Sequence, residues 1–279
     1  MKISDLFTRV DSLTVSETKK MMEEKGHDGL TLIDVREPAE YEAGHIPGAL
    51  FSPLSHLADN LDKLDLSGTV VTYCKRGPRS RSAAALLKRQ GSDDVYYMDG
   101  GIDAWNGLVA SGSYETGLFL LEGIENVEDL VTLAWALEDG TGTFYAQMRE
   151  LSEDEEARQV FESLMKAEQN HKSKLLEAYR HITGKEINDE KIRTQTIRGH
   201  MEGGVSVDEL VGILKKERAA VREILEVSMQ VESNSLDLYM KMLTKVQDVS
   251  ARKALNVLIE EEKAHLIKLG ALLESKINI

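Results

Sequence analysis

Six residues of the types that hold metal ions occur as one triplet used twice. Glu138, Glu168 and His171 recur as Glu232, Glu262 and His265, each displaced by 94 positions. Tyr145 and Tyr239, Met148 and Met242, Lys174 and Lys268, and Leu175 and Leu269 keep the same displacement. Matched chemistry in one register over so many positions indicates an internal duplication. Four carboxylates with two imidazoles suit two first-row metal ions, whose charge the carboxylates offset. Without metal, the four would repel one another inside a low-dielectric core.

A second reactive group surrounds the one cysteine of the chain. Cys74 ends the apolar run TVVTYC and is followed by Lys75, Arg76, Gly77, Pro78, Arg79, Ser80 and Arg81. The run reads as a buried strand, and SAAALLKRQG beyond the loop reads as a helix. Cys74 would then face a helix N-terminus, where backbone N–H groups converge on an anion. These donors and four nearby basic side chains favour thiolate over thiol. A thiolate in such a cradle is equipped for nucleophilic attack and for holding an anionic adduct. The bland readings are an inert buried cysteine and a nucleic-acid patch. The density of basic residues argues against the first. A net charge of −14, with 48 acidic and 34 basic residues, argues against the second.

Helix arithmetic says how the metal-type residues could meet. Glu168 and His171 are three apart and share a helix face, as do Glu138 and Tyr145, seven apart. Glu138 and Glu168 are equidistant from position 153, where Ser152 and Glu155 offer a capping box for a new helix. Glu232 and Glu262 are likewise equidistant from 247, beside Asp248. Two helix hairpins turning there can pack as a four-helix bundle. Gly140 and Gly142 lie inside the first helix at a cost of about 1 kcal/mol each, so close packing or backbone approach is expected beside them. Asn126 is expected to cap the first helix, and Ser206 with Glu209 to restart helix after the crossing segment at about 183–205.

The first half alternates strands, at about 30–34, 69–73 and 95–98, with helices, one of them near 15–25 behind a Thr14/Glu17 capping box. That alternation predicts an α/β domain with a mostly parallel sheet. Asp34 and Arg36 read as a buried structural pair, His45 as a packed histidine and Trp105 as core. His27, His56, His181 and His200 read as surface residues. The expected organisation is an α/β domain over 1–112, a linker over 113–123 containing Gly and Ser, and an all-α four-helix bundle with internal duplication over 124–279.

At the metal-type residues the second half resembles the ferritin-like superfamily, rubrerythrin-type proteins in particular, through EDGTGTFY, EQNH, ESNSLDLY and EKAH. The resemblance implies a non-haem di-iron centre: two iron ions on the six ligands, reacting with peroxide or dioxygen, with Tyr145 and Tyr239 beside them. Manganese shares these ligands. Two departures stand out. Ser235 occupies the position where rubrerythrins typically add a second Glu. One cysteine leaves no rubredoxin iron site, so electrons must come from an external donor. Around Cys74 the chain resembles a single-domain rhodanese over about 14–110. CKRGPRS is similar to the loop C-x-x-G-x-R-S, and LIDVRE, GHIPGA and GGIDAW follow the family's order. This resemblance implies that Cys74 takes a sulfane sulfur from a donor such as thiosulfate and passes it, as a persulfide, to a thiol acceptor. Loop N–H groups from Lys75 to Ser80 would hold the sulfur, with Arg79 assisting an anionic substrate. Related phosphatases use a loop one residue longer, so this cradle suits sulfur better than phosphate.

The combined reading is a bifunctional protein, a sulfurtransferase joined to a di-iron oxidoreductase. The alternatives are a rhodanese on a non-catalytic iron-binding or dimerising bundle, and a persulfide carrier or sensor. Short, charge-interrupted apolar runs and an N-terminus without an apolar core predict no membrane span and no signal peptide. A cytoplasmic homodimer without nucleic-acid or membrane partners is expected.

Overall fold

The structure, a computed structural model, describes residues 10–114 apart from 65 and 67, then 126–187, 192, 199–201, 204–246 and 248–277. The chain divides into two compact units, Met1–Tyr114 and Glu115–Ile279. Most of the expected linker, from 115 to 123, lies outside the described residues, as does much of the crossing segment at 183–205.

The first unit runs β1 (Asp11–Leu13), α1 (Val15–Gly29), β2 (Leu30–Asp34), α2 (Pro38–Ala43), β3 (Leu50–Phe51), β4 (Thr69–Tyr73), α3 (Pro78–Arg89), β5 (Val95–Met98) and α4 (Gly101–Ala104). All strand pairs are parallel, in the order β1-β5-β4-β2-β3. Every residue of β4 is buried, as a central strand covered on both faces requires; its sequence is mostly apolar, and the hydroxyls of Thr69 and Thr72 donate to Asp94 and the Ser80 carbonyl. Val70 packs with Ile33, Ala84 and Leu87 on one face. Val71 and Tyr73 pack with Leu32, Ile46 and Met98 on the other. The sheet is thus the parallel α/β layer the alternation predicts. β1 and β3 were not expected: they are too short to carry an alternation signal. The Thr14/Glu17 box opens α1, which runs past its expected end near 25 through a kink at Gly26. Asp34 and Arg36 form a buried ion pair at 2.6 Å, and Arg36 also reaches the Gly44 carbonyl.

The second unit is mostly helical: α5 (Val127–Leu151), α6 (Glu155–Thr183), α7 (Val207–Glu217), α8 (Val221–Lys245) and α9 (Val249–Ile277). α5 packs along α6, α8 packs along α9, α6 meets α9, and α7 lies on α5. Asn126 caps α5 through the Asp129 N–H at 3.1 Å. The α6 cap is Asp154, which accepts from Ala157 N–H at 2.9 Å, rather than Ser152. Ser152 closes the preceding helix and accepts from the Asp154 N–H, so its hydroxyl is committed to the turn. Asp248 caps α9 through Ala251 N–H at 2.8 Å. Ser206 restarts helix, but the chain breaks again at Arg218, in the left-handed region, before α8. No Gly or Pro marks that break in the sequence.

Of the two glycines of α5, Gly140 stands at a close approach and Gly142 at an ordinary contact distance. A β-carbon at Gly140 would lie 1.9 Å from the His200 carbonyl oxygen, and one at Gly142 would meet the Glu168 side chain at 3.4 Å. Among the described residues, no helix is long and apolar enough to cross a membrane. Gly140→Ala is expected to destabilise the second unit by about 1–3 kcal/mol through overpacking. Gly212→Ala, at a helical position facing open space, should stabilise it by about 0.5–1 kcal/mol. Urea unfolding midpoints of the two variants, moving in opposite directions from the parent, check this.

Candidate functional site

Cys74 follows the last residue of β4 and stands at the C-terminal end of the central strand. The loop then turns back into α3 through Gly77, whose φ of 122° disfavours any side chain, and Pro78 supplies the fixed φ of a first helical residue. Gly77 N–H donates to Cys74 Sγ at 3.1 Å, and the Ser80 hydroxyl lies 3.6 Å from the sulfur and 2.8 Å from the Gly77 carbonyl. Burial pushes the Cys74 thiol up. The Ser80 hydroxyl and the N–H groups of Ser80, Gly77 and Arg76 more than offset it, so the net direction is down.

The segment GGIDAW holds this loop from behind. Ile102 N–H donates to the Cys74 carbonyl at 2.9 Å and Asp103 N–H to the Lys75 carbonyl at 3.1 Å. The backbones approach so closely that a β-carbon on Gly101 would lie 2.2 Å from the Cys74 carbonyl oxygen. Cys74, Lys75, Arg76, Pro78 and Arg79 line a cavity of about 280 Å³. Arg79 is forked onto Glu40 at 2.6 and 2.7 Å. That fork, first among several causes, holds the Glu40 carboxyl down to about 2 and raises Arg79. Arg76 pairs with Asp103 at 2.7 Å. The basic charges of the loop are thus partly compensated, and the Gly77 N–H makes the closest polar contact to the sulfur.

The second unit brings all six metal-type residues together. Glu138, Glu168, His171, Glu232, Glu262 and His265 are each at most 3% exposed. The His171 Nδ1 lies 3.0 Å from both Glu138 Oε2 and Glu168 Oε2. The His265 Nδ1 lies 3.2 Å from Glu232 Oε2 and 3.3 Å from Glu168 Oε1. The two rings stack with centroids 5.1 Å apart. The tyrosines cross between the hairpins: Tyr239 donates to Glu138 at 3.0 Å, and Tyr145 donates to Glu232. Burial pushes Glu262 well up, and the charges of Glu232 and Glu168 add to it. Burial acts the same way on Glu138 and Glu232, but the His171 hydrogen bond holds Glu138 down, and the Glu262 hydrogen bond followed by His265 holds Glu232 down. Burial and the neighbouring carboxylates raise Tyr145 strongly.

These residues fit divalent metal ions. Three sets, Glu168–His171–His265, Glu138–His171–Glu262 and Glu232–Glu262–His265, each bring their ligand atoms within 4.8 Å of one another. Glu262 Oε2 is buried without a hydrogen-bond partner, which is costly unless a cation or proton completes it.

Sequence reasoning missed Glu40, which lies between LIDVRE and GHIPGA but in neither, and Glu261, which hides in the run Glu260–Glu262 as if it were surface charge. Glu261 Oε2 stands 3.1 Å from His171 Nε2.

Comparison with known proteins bears on the first unit. Residues 14–108 match the rhodanese-like domain family. The thiosulfate sulfurtransferase GlpE of Pseudomonas syringae pv. syringae (strain B728a) is 42% identical over 77 residues, 28% of this chain and 73% of its own. GlpE of Pseudomonas entomophila (strain L48), also named a thiosulfate sulfurtransferase, is 36% identical over 109 residues, 36% of this chain and 100% of its own. The uncharacterized protein YqhL of Bacillus subtilis (strain 168) is 39% identical over 84 residues, 30% of this chain and 67% of its own.

Ser80→Ala removes one donor from the sulfur and should shift the Cys74 titration upward. A hydrogen bond to a charged group is worth about 1.5 kcal/mol at the low end, so alkylation by iodoacetamide at neutral pH should slow roughly tenfold. Because the chain has a single thiol, the pH profile of its alkylation reads this directly. An unmoved midpoint would mean the hydroxyl serves the Gly77 carbonyl alone.

Proposed function

The chain belongs to the rhodanese-like family through residues 14–108, and on that premise we propose that its first unit is a sulfurtransferase with Cys74 as nucleophile. The Cys74 thiolate attacks the outer sulfur of a sulfane donor such as thiosulfate. The donor S–S bond breaks, sulfite leaves with the bonding pair, and Cys74 becomes a persulfide. A thiolate acceptor then attacks the outer sulfur, takes it, and releases Cys74 as thiolate. The observation that carries this reading is the convergence of the Gly77 N–H and the Ser80 hydroxyl on a sulfur at the foot of an open cavity. Backbone donors suit an anionic persulfide, whose charge resides on the outer sulfur. Glu40 keeps the Arg79 guanidinium oriented at the cavity wall.

For the second unit we propose a ferritin-like bundle holding two iron ions, with manganese as the chemically equivalent substitute, on Glu138, Glu168, His171, Glu232, Glu262 and His265. The support is the burial of four carboxylates and two imidazoles whose donor atoms face one another. When bound, two such ions would supply electrons and open coordination positions for reducing peroxide or dioxygen, replenished by an external donor. The residues themselves turn the two histidine Nδ1 atoms inward, exclude water, and anchor Glu138 and Glu232 through tyrosine hydroxyls from the opposite hairpin.

Incubation with thiosulfate should add one sulfur atom to the intact protein by mass spectrometry. Cyanide or a thiol should remove it, and Cys74→Ser should abolish both steps. A cysteine that never gains sulfur would overturn the sulfurtransferase reading. Purified protein should carry about two metal ions per chain, and Glu168→Ala or Glu262→Ala should lower that content. Peroxide should bleach or shift the visible spectrum of the reduced form. Protein without metal would leave a sulfurtransferase joined to a purely structural bundle. Burial and the charges of Glu232 and Glu168 raise Glu262, so it holds a proton to higher pH than an ordinary carboxyl and a cation competes with that proton. Metal affinity should therefore strengthen as pH rises and weaken as it falls. Calorimetry in buffers of different ionisation enthalpy reads the released proton directly, and equal heats would contradict it.

A further inference from the structure

The duplicated hairpins are not equivalent at the outer edge of the two histidines. Both rings turn Nδ1 inward to the carboxylates. On the outer side of His171, Glu261 Oε2 stands 3.1 Å from Nε2. This oxygen is buried and takes no aligned hydrogen bond, so a proton on Nε2 is what would satisfy it. Glu261 Oε1 is held in turn by Lys174. Shifting by the 94-residue register places Ala167 where Glu261 stands, and Lys268 where Lys174 stands. Alanine has no acceptor, so His265 has no such carboxylate from the corresponding position. The surroundings differ too. His171, Lys174, His181 and Glu261 line a cavity of about 310 Å³, whereas the corresponding groove over Ala167 and Lys268 is lined without His265.

We infer that Glu261 is a positioning residue that makes the two metal positions unequal, tightening the one held by His171. The inference rests on the two-metal reading above. A neutral imidazole carries one N–H, and its other nitrogen can bind metal. A carboxylate beside Nε2 draws the proton there, which leaves the Nδ1 lone pair facing the ligand cluster and makes it a better donor. Removing such an outer partner typically lowers metal affinity by roughly 10–100-fold. The ligand class is a first-row divalent cation.

The test titrates metal-free full-length protein anaerobically with Fe(II), and separately with Co(II) to follow its visible bands. The parent should fill in two steps of unequal affinity. Glu261→Ala should weaken the tighter step by roughly 10–100-fold and leave the weaker one in place. Ala167→Glu, which supplies the missing carboxylate beside His265, should tighten the weaker step and alter its Co(II) bands. Far-UV circular dichroism identifies any variant that fails to fold, and the two substitutions must then act in opposite directions. Two ions bound with affinities unchanged by Glu261→Ala would overturn this inference and leave the metal reading standing. A parent protein that binds no ion would overturn the metal reading itself.

Discussion

A carboxylate that loses its water must find cations, protons or hydrogen-bond donors, and the second unit buries four of them side by side. Glu138, Glu168, Glu232 and Glu262 are all at most 2% exposed. Much of the unit follows from satisfying them. Two imidazoles face inward, two phenolic hydroxyls reach across from the opposite hairpin, and the proton affinity of Glu262 is raised. The helix ends are set by the same need. Asp154 and Asp248 start α6 and α9 at matching distances from the glutamates, which brings Glu138 level with Glu168 and Glu232 level with Glu262. Gly140 admits the His200 carbonyl beside α5.

The first unit handles one negative charge by different means. Its thiolate is stabilised by the Ser80 hydroxyl and by main-chain donors of the loop, while the Arg79 guanidinium beside it is forked onto Glu40. Main-chain donors have a practical advantage here. They are fixed by the turn from β4 to α3, and that turn is clamped by two further N–H groups from the start of α4. Side-chain cations would be free to swing with each change in ligand charge. A backbone cradle keeps its geometry whether the sulfur carries a proton, a negative charge or a second sulfur.

What the amino-acid sequence disclosed, and what it withheld, divides along physical lines. β4 was legible because a strand buried on both faces is a nearly unbroken run of apolar and β-branched residues. The metal-type cluster was legible because a duplication repeats its spacing. The short strands β1 and β3 gave no periodic signal. The choice of Asp154 over Ser152 as a cap depended on which residue the preceding helix had already claimed. Glu261 and Glu40 were invisible for another reason. Each is an ordinary acidic residue in an acidic chain, and its partner is distant in sequence: Arg79 lies 39 positions from Glu40, and His171 is on another helix. Spacing reveals residues that work within one element or repeat together, and it cannot reveal a partnership made once, across elements.

The crossed tyrosines have a consequence for how the second unit came to be one chain. Tyr145 of the first hairpin serves Glu232 of the second, and Tyr239 of the second serves Glu138 of the first. Neither hairpin is self-sufficient. As separate molecules they would meet only as often as their concentration allowed. Joined in tandem, each sees the other at an effective concentration on the order of millimolar, so assembly no longer depends on how much protein is present. Tandem joining also ends an enforced equality. In a symmetric pair of identical chains every substitution appears on both sides, whereas in a duplicated chain one side can change alone. Glu261 and Ala167, 94 positions apart, are one place where the two halves differ.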